Sequence, residues 1–361
     1  AMPALGPAIL NAAMIVACLW FVPRTSPGIL AVAVGVMIGG VIQLAIQVPV
    51  AARLGLRWRW RWAHPGSGEV LRLLGPRTVG SAAYQASVLI HTALASLSAV
   101  VGEGAVAALY FANRLVQLPL ALFGTASAQA SLPSLAEQAA HGDLSAFRRT
   151  LLSVIRRVGF VLLTASDGLM VLAFPIVEGL FERGAFDHRS TVMTAQALVW
   201  YALGLMAYAA AKVLTGAFYA LRETRTPVML AIEAVAVNVA LSLALMWPLQ
   251  VSGLALAAAL ANTLNALRLA QRLERRLGEP LLQPLAGPLA RQAGASLLMG
   301  AVCFALHQGL AGTPPWVELP FAILGGLVGY VLFCRLLRVQ ELSTAVRWLG
   351  TPPILQPFVS E

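Results

Sequence analysis

The chain has 361 residues, of which 59% are apolar and only 11% are charged, and its mean hydropathy is +0.78. Because soluble domains carry about 25% charged residues, this composition excludes a soluble enzyme, a disordered tail and a nucleic-acid-binding module. The net charge of +10 is spread thinly, which is typical of loops that face an anionic membrane surface. The composition therefore predicts a polytopic membrane protein.

Several segments along the chain are long and apolar enough to span a membrane, since a spanning helix needs roughly 20 mostly apolar residues. Glycines and prolines fall between consecutive segments and mark the turns. The sequence predicts an all-α fold of about ten transmembrane helices, at residues 3–22, 29–52, 70–100, 105–135, 146–180, 191–220, 226–248, 251–271, 286–309 and 316–340.

Arginines divide the loops between these segments into two classes. If the chain starts in the cytoplasm, the opposite loops hold only Arg24, Arg183 and Arg189. Positive residues favour the cytoplasmic side, so the pattern predicts that both ends of this chain are cytoplasmic. The cytoplasmic set comprises Arg53, Arg57, Arg59, Arg61, Arg148, Arg149, Arg156, Arg157, Arg222, Arg225, Arg268, Arg272, Arg275, Arg276, Arg335, Arg338 and Arg347.

Arg114 is the clearest charged residue at predicted membrane depth. It lies about ten residues into the fourth segment, which corresponds to a depth of roughly 15 Å. A guanidinium there requires a wet cavity, an anion, or a structural pair with a carboxylate of a neighbouring helix. Its planar fork suits a phosphate or diphosphate, and Asn113 and Gln117 are candidate cavity-lining residues beside it.

Other polar residues in the predicted helices have two interpretations each. Lys212, the only lysine in the chain, either lines a cavity or serves as a snorkelling or ion-paired structural residue. Gln85 and His91 belong to a polar stripe on the third segment, which either lines a cavity or packs against another helix.

Carboxylates inside the predicted helices are candidate ion sites. Glu233 and Asn238 lie five residues apart in the seventh segment and are candidate ligands for a coupling cation. Asp167 in the fifth segment is a single carboxylate that could bind a cation or a proton.

The sequence contains no pattern typical of an enzyme or a metal site. It lacks GxSxG, HExxH and P-loop motifs, and Cys18, Cys303 and Cys334 do not have the spacing of zinc ligands. These observations favour a transporter over an enzyme.

The stretch Arg57–Trp62 alternates arginine with tryptophan. It is typical of an interfacial anchor, in which tryptophans lie at headgroup level and arginines reach phosphates. The alternative is a site for a specific anionic lipid.

Segments from most of the chain, taken in order, resemble the MurJ/MviN family of lipid II flippases in the MOP (multidrug/oligosaccharidyl-lipid/polysaccharide) superfamily. Residues 110–135, YFANRLVQLPLALFGTASAQASLPSL, carry the most specific similarity. The other matching segments are residues 7–11, 39–43, 47–49, 180–198, 212–228 and 253–269.

The resemblance implies a fold of two six-helix lobes arranged as a V, followed by two trailing helices. In that arrangement, residues 1–62 would form the last two helices of the first lobe, and residues 69–276 the six-helix second lobe. Residues 284–340 would form the two trailing helices and residues 341–361 a cytoplasmic tail. The first lobe is then expected to be incomplete, because the family's first four helices have no counterpart here.

The resemblance also implies a function. Such a protein is a flippase that moves lipid II, the lipid-linked peptidoglycan precursor, from the inner to the outer face of the bacterial cytoplasmic membrane by alternating access. Arg114 would bind the lipid diphosphate, although the family usually has Asp-Arg where this chain has Asn113-Arg114. No cofactor is implied, but a coupling cation (Na+ or H+) or the membrane potential would reset the carrier.

The partners implied are lipid II, anionic lipids at the cytoplasmic face and, as candidates, peptidoglycan-synthesis proteins, with no nucleic acid. Other functions stay open at this point. One is a flippase for another polyprenyl-linked oligosaccharide, or a drug exporter of the same superfamily. Another is a lobe that does not transport without a partner, and a third is a membrane-embedded enzyme of lipid-linked sugars.

Overall fold

The structure, a computed structural model, describes residues 6–53, 85, 88–310 and 313–343. These residues form helices joined by short turns and contain no β-strand, which confirms the all-α prediction. The arginine–tryptophan stretch, the first part of the third predicted segment and most of the predicted tail lie outside the described residues.

The chain divides into two compact units, Ala1–Leu73 and Leu74–Glu361. The first unit contains helix α1 (Gly6–Val16), which continues through a π-helical turn and a 3-10 turn, and helix α2 (Gly28–Arg53). The two helices pack closely because Gly39 has no side chain: a Cβ there would lie only 3.0 Å from the Cβ of Ala13.

The second unit contains the remaining described helices, and its longest rod is α5 and α6 joined by a π-helical turn at Leu120–Thr125. The helices are α3 (88–95), α4 (Ser98–Val101), α5 (Ala105–Pro119), α6 (Ala126–Ala140), α7 (Leu144–Val171), α8 (Ala173–Phe181), α9 (His188–Leu203), α10 (Leu205–Ala220), α11 (Arg225–Leu277), α12 (Leu282–Gly309) and α13 (Pro315–Leu336).

Two predicted segments are bent in the structure. Helices α7 and α8 meet at 74°, and helices α9 and α10 meet at 44°. The first bend is at Leu172. Pro175 follows three residues later, and in an unbroken helix its ring would clash with the carbonyl of Val171, four residues before it. The second bend is at Gly204, where a Cβ would lie 2.9 Å from the Cα of Ala259.

Helix α11 is a hairpin of 53 residues. Gln250 interrupts it with φ 49° and ψ −126°, and the two halves run antiparallel, so that Gly253 packs directly on the backbone carbonyl of Leu245. The reversal lies between the predicted segments 226–248 and 251–271.

Five described helices meet the length and composition of a membrane span, and up to seven do when each bent pair counts as one span. In that count the hairpin α11 is a single helix, although its two halves match two predicted segments. The count of ten stays a prediction.

Helices α12 and α13 dock on α7 through hydrogen bonds to its backbone. Gln292 Nε2 donates to the carbonyl of Arg156 at 3.1 Å, Tyr330 Oη to that of Phe160 at 2.8 Å, and Ser296 Oγ to that of Leu163 at 2.9 Å. A helical carbonyl has a second lone pair free for such a bond, and small polar residues hold membrane helices together in this way. The boundary predicted between a second lobe and two trailing helices is not tested by this packing.

Candidate functional site

The exposed side of α5 carries a polar face. Tyr110, Asn113, Arg114 and Gln117 follow the helical repeat and are all exposed, whereas Leu109, Ala112 and Val116 on the other side are buried in the core of the second unit. This amphipathic pattern places the polar face away from the helices that pack against α5. The polar face therefore presents one charged residue, Arg114, on the exposed side of α5.

Arg114 is held by two neighbours on this face. Its Nη2 donates to Tyr110 Oη at 3.1 Å and its Nη1 to Gln117 Oε1 at 3.3 Å, while the guanidinium carbon lies 4.9 Å from the centroid of the Tyr110 ring. Among the described residues, no carboxylate lies within the 4.0 Å of a salt bridge to it. The structural ion pair considered from the sequence is therefore not observed there, and the guanidinium keeps N–H donors for an anion.

Asn113 lies beside Arg114 and is exposed. At this position the family usually has an aspartate, which would neutralise part of the arginine's charge. An amide is neutral, so the polar face presents a full positive charge to a ligand.

Lys212 contacts the rod from α10. Its Nζ donates to Thr125 Oγ1 at 3.0 Å, and Thr125 is the last residue of the π-helical turn that follows Pro119. A missing N–H at a proline favours such a turn, and π-helical turns frequently lie at functional sites. Eleven residues separate Arg114 from Thr125, which is roughly 16 Å along a helix, so the rod carries two cationic contacts at different depths.

Among the described residues, Arg114 has no hydrogen bond to the polar stripe of the third segment. Gln85 is exposed, and His91 is half-buried with its Nε2 out of contact with solvent and without a hydrogen-bond partner in the described part of the chain. The hydroxyl groups of Thr92 and Ser96 bond to carbonyls of their own helix. The cavity-lining role of Gln85 and His91 stays a prediction.

Glu233 and Asn238 have separate partners. The carboxylate of Glu233 pairs with the guanidinium of Arg268 on the returning half of α11, and Asn238 Oδ1 accepts from Ser242 Oγ at 3.5 Å. Across the residues that the structure describes, no group of three acidic, histidine or cysteine side chains could hold a metal ion. Their joint role as ligands of a coupling cation stays a prediction.

Asp167 is buried between α7 and α12, at 8% exposure. Its carboxyl group contacts the hydroxyl of Ser296, which also reaches the carbonyl of Leu163. This carboxyl therefore belongs to the docking contact of the trailing helices and not to the polar face of α5.

The partners of these residues were harder to find in the sequence than the residues themselves. Tyr110 lies one helical turn before Arg114, and that spacing could have indicated the contact. Thr125 is 87 residues from Lys212, and Arg268 is 35 residues from Glu233. These two contacts depend on tertiary packing, for which the sequence carries no local signal.

Comparison with known proteins gives consistent matches. A family model described as "Lipid II flippase MurJ" matches residues 1–324. A probable lipid II flippase MurJ of Rhizobium meliloti is 37% identical over 237 residues, which are 65% of this chain and 44% of that protein. One of Haemophilus influenzae is 32% identical over 268 residues, which are 72% of this chain and 52% of that protein.

Two further matches cover almost the whole chain. A probable lipid II flippase MurJ of Thermotoga maritima is 31% identical over 346 residues, 96% of this chain and 67% of that protein. A solved structure of the lipid II flippase MurJ in an inward closed conformation covers 92% of this chain and 67% of its own, with 22% identity and a TM-score of 0.75, which shows the same fold.

The chain spans about half the length of the first two relatives. Its family match nevertheless runs from residue 1 to residue 324, and this range includes the polar face of α5, the π-helical turn and the α11 hairpin. The chain belongs to the lipid II flippase MurJ family.

Proposed function

We propose that this chain provides the second lobe of a flippase that moves lipid II from the inner to the outer face of the bacterial cytoplasmic membrane. The observation that carries the proposal is Arg114, an exposed guanidinium within a predicted membrane span that lacks a carboxylate partner among the described residues. It lies on a polar face in a chain that belongs to a flippase family.

The chemistry of a diphosphate supports this role for Arg114. Moving a phosphate charge into a membrane without a partner is very costly, and a guanidinium supplies paired N–H donors that match two phosphate oxygens. Tyr110 and Gln117 fix the direction of the side chain, so less conformational entropy is lost when the anion binds.

The proposed mechanism is alternating access. The headgroup of lipid II enters between two lobes, its polyprenyl tail stays in the lipid, and rocking of the lobes exposes the headgroup on the outer side. Membrane potential or a coupling cation resets the empty carrier, since moving one charge across 100 mV is worth about 2.3 kcal/mol. Glu233 and Asn238 are the candidate cation ligands, and Glu233 would first have to release Arg268.

The proposed surroundings follow from the charge pattern. Arginine-rich loops favour the cytoplasmic side, which supports a cytoplasmic position for both ends of this chain in a bacterium. Anionic lipids of the inner leaflet and peptidoglycan-synthesis proteins are the proposed neighbours. The arginine fork recognises a diphosphate, so a flippase for another polyprenyl-linked oligosaccharide is the second candidate.

The test is exposure of lipid II on the outer surface of bacteria depleted of their own flippase. The cells express this chain alone, or this chain preceded by four helices of a family member, in each case as wild type, Arg114→Ala or Arg114→Lys. Arg183→Ala is the matched control, because Arg183 is an exposed arginine in the loop between α8 and α9, where its guanidinium donates to the carbonyl of Leu180.

Rescue by the extended chain, its loss in Arg114→Ala and a partial loss in Arg114→Lys would support the proposal, provided that the control variant rescues. Comparison with the chain alone shows whether the four added helices are required for lipid II exposure. If the extended chain reaches the membrane and never exposes lipid II, the substrate is wrong, and exposure of other polyprenyl-linked sugars is measured in the same cells.

A further inference from the structure

A second site lies at the other end of the α5–α6 rod. A cavity of about 720 Å³ opens between the end of α6, the start of α7, the end of α10 and the end of α11. Its volume is within the range of small-molecule sites, roughly 300–1,000 Å³. Ala136 in its wall is 22 residues beyond Arg114, or about 33 Å along a helix, so this cavity is separate from the polar face of α5.

Most of the cavity wall is apolar. Leu132, Ala136 and Ala139 form one face of α6, and Leu144 and Tyr219 approach from α7 and α10. Leu132, Leu144 and Tyr219 are 37%, 41% and 47% exposed, so the wall is open to the surroundings. An apolar wall with a tyrosine at its edge is typical of the membrane–water interface.

Two arginines complete the lining, Arg222 after α10 and Arg276 at the end of α11. Both are exposed, and in the described part of the chain neither guanidinium has a hydrogen bond or an ion pair. The carboxylates around them have other partners: Glu223 accepts from Thr226, Glu274 from the N–H groups of Leu281 and Leu282, and Glu279 pairs with Arg148. Among the described residues, no carboxylate lies within the 4.0 Å of a salt bridge to either guanidinium, so Arg222 and Arg276 keep N–H donors for an anion.

The backbone of Arg222 is strained. It ends α10 with φ 57°, and its N–H and that of Glu223 bond to the carbonyls of Tyr219 and Phe218, as in a Schellman motif, where glycine is the usual residue. A residue with a Cβ is disfavoured in this conformation, because its Cβ lies close to the backbone carbonyl. Strain of this kind is kept at functional sites, and here it keeps a guanidinium in the cavity wall where glycine would supply none.

We propose that this cavity binds an anionic phospholipid of the cytoplasmic leaflet, with its phosphate between Arg222 and Arg276 and the upper part of an acyl chain against α6. A free phosphate ion would use the two arginines but leave the apolar wall exposed to water, whereas a lipid satisfies both. The proposal deepens that of anionic lipids as neighbours and rests on the predicted cytoplasmic position of this end of the helices. It does not depend on transport of lipid II.

The experiment measures lipids that stay bound to the full 361-residue chain. The chain is reconstituted in nanodiscs of phosphatidylcholine with increasing phosphatidylglycerol, and bound lipids are counted by native mass spectrometry. The first variant is Arg222→Gln with Arg276→Gln. The second is Arg222→Gly with Arg276→Gln, which relieves the backbone strain and so guards against loss of folding.

Two controls match these variants. Arg272→Gln with Arg275→Gln removes two exposed arginines from the same end of α11 that do not line the cavity. A third test variant, Ala136→Trp, fills the cavity. Its control, Ala130→Trp, adds the same bulk to an exposed position of α6 outside the cavity.

The expected result is retention of phosphatidylglycerol by the wild type and by both controls. Affinity should fall about tenfold or more in each Arg222 variant, as for the loss of charge-assisted bonds, and in Ala136→Trp. Equal retention by the double variants and the wild type would overturn the site. Displacement of the lipid by inorganic phosphate, with Ala136→Trp binding normally, would overturn the lipid as ligand and leave a phosphate site.

Because binding is measured without transport, this result is separate from that for lipid II exposure. A chain that exposes no lipid II can still retain phosphatidylglycerol at this cavity, and loss of retention in the arginine variants and in Ala136→Trp, but not in the controls, identifies the site. If the wild type retains no more phosphatidylglycerol than phosphatidylcholine, the proposal is wrong.

Discussion

The carboxylate of Glu233 pairs with the guanidinium of Arg268, which lies 35 residues later on the returning half of α11. The pair joins the two antiparallel halves of the hairpin, and both side chains are partly exposed, at 40% and 43%. Its charges compensate each other, which leaves Glu233 less available to a cation than an isolated carboxylate.

Glu233→Gln should lower the stability of the protein by about 1 kcal/mol, between the values for exposed and buried ion pairs. The exchange Glu233→Arg with Arg268→Glu should recover most of it. Thermal unfolding in detergent measures both, with and without Na+. Greater stabilisation by Na+ of the wild type than of Glu233→Gln would identify Glu233 as a cation ligand, and an equal effect would argue against the proposed ion site.

Tyr110→Phe should lower, but not abolish, lipid II exposure by the extended chain, because Tyr110 positions Arg114. The variant loses the hydroxyl that accepts from Nη2 but keeps the ring beneath the guanidinium, so we expect about a fivefold loss from one hydrogen bond of about 1 kcal/mol. Tyr110→Ala also loses the cation–π contact and should cost more. Lipid II exposure by the extended chain is the measurement, and equal activity of all three would show that Tyr110 does not position Arg114.

Thr125→Val should disturb the contact between α10 and the π-helical turn. Lys212 loses its acceptor at 3.0 Å, and we expect a loss of about 1 kcal/mol in unfolding free energy. Thr125→Ser keeps the hydroxyl and should behave like the wild type. If both variants unfold alike, the hydrogen bond does not contribute to the packing of α10.

Asp167→Asn should be tolerated, because an amide can still bond to Ser296 and brings no charge into the buried contact between α7 and α12. Asp167→Ala leaves the hydroxyl of Ser296 with one partner fewer and should cost about 1–3 kcal/mol. Protease digestion of α12 in detergent reports the docking directly. Greater sensitivity in Asp167→Asn than in Asp167→Ala would contradict this explanation.

The cap that Asp187 forms at the start of α9 should make the protein less stable at acid pH. Its carboxylate caps α9 by accepting from the N–H and the hydroxyl of Ser190, and the N–H bond is the main cause that lowers its pKa below the usual 3.8. The folded protein therefore gains stability above that pH and loses it as pH falls through the lower folded pKa. The midpoint of thermal unfolding should fall towards the value of Asp187→Asn below about pH 4, whereas Asp187→Ala should be less stable at neutral pH.

Hydropathy and charge were enough to predict an all-α membrane fold, because each helix buries its apolar residues locally or in lipid. Arg114 could also be found, since a charge in an apolar segment is conspicuous without any tertiary information. The bend after Leu172 was not predicted, although Pro175 gives a signal for it, because the two arms together have the length of one span. The cavity near Arg222 was also not predicted, because its wall combines residues from four helices that only tertiary packing brings together.

The bonds from α12 and α13 to α7 end on backbone carbonyls at Arg156, Phe160 and Leu163. Substitutions at positions of α7 that do not face α12, unlike Asp167 and Gly159, leave these acceptors in place, so the docking tolerates sequence change at those positions. The spacing of these acceptors along α7, in contrast, is constrained. Inserting one residue into α7 would rotate the following acceptors by about 100° and turn them away from Tyr330 and Ser296, so the length of this helix is constrained more tightly than its composition.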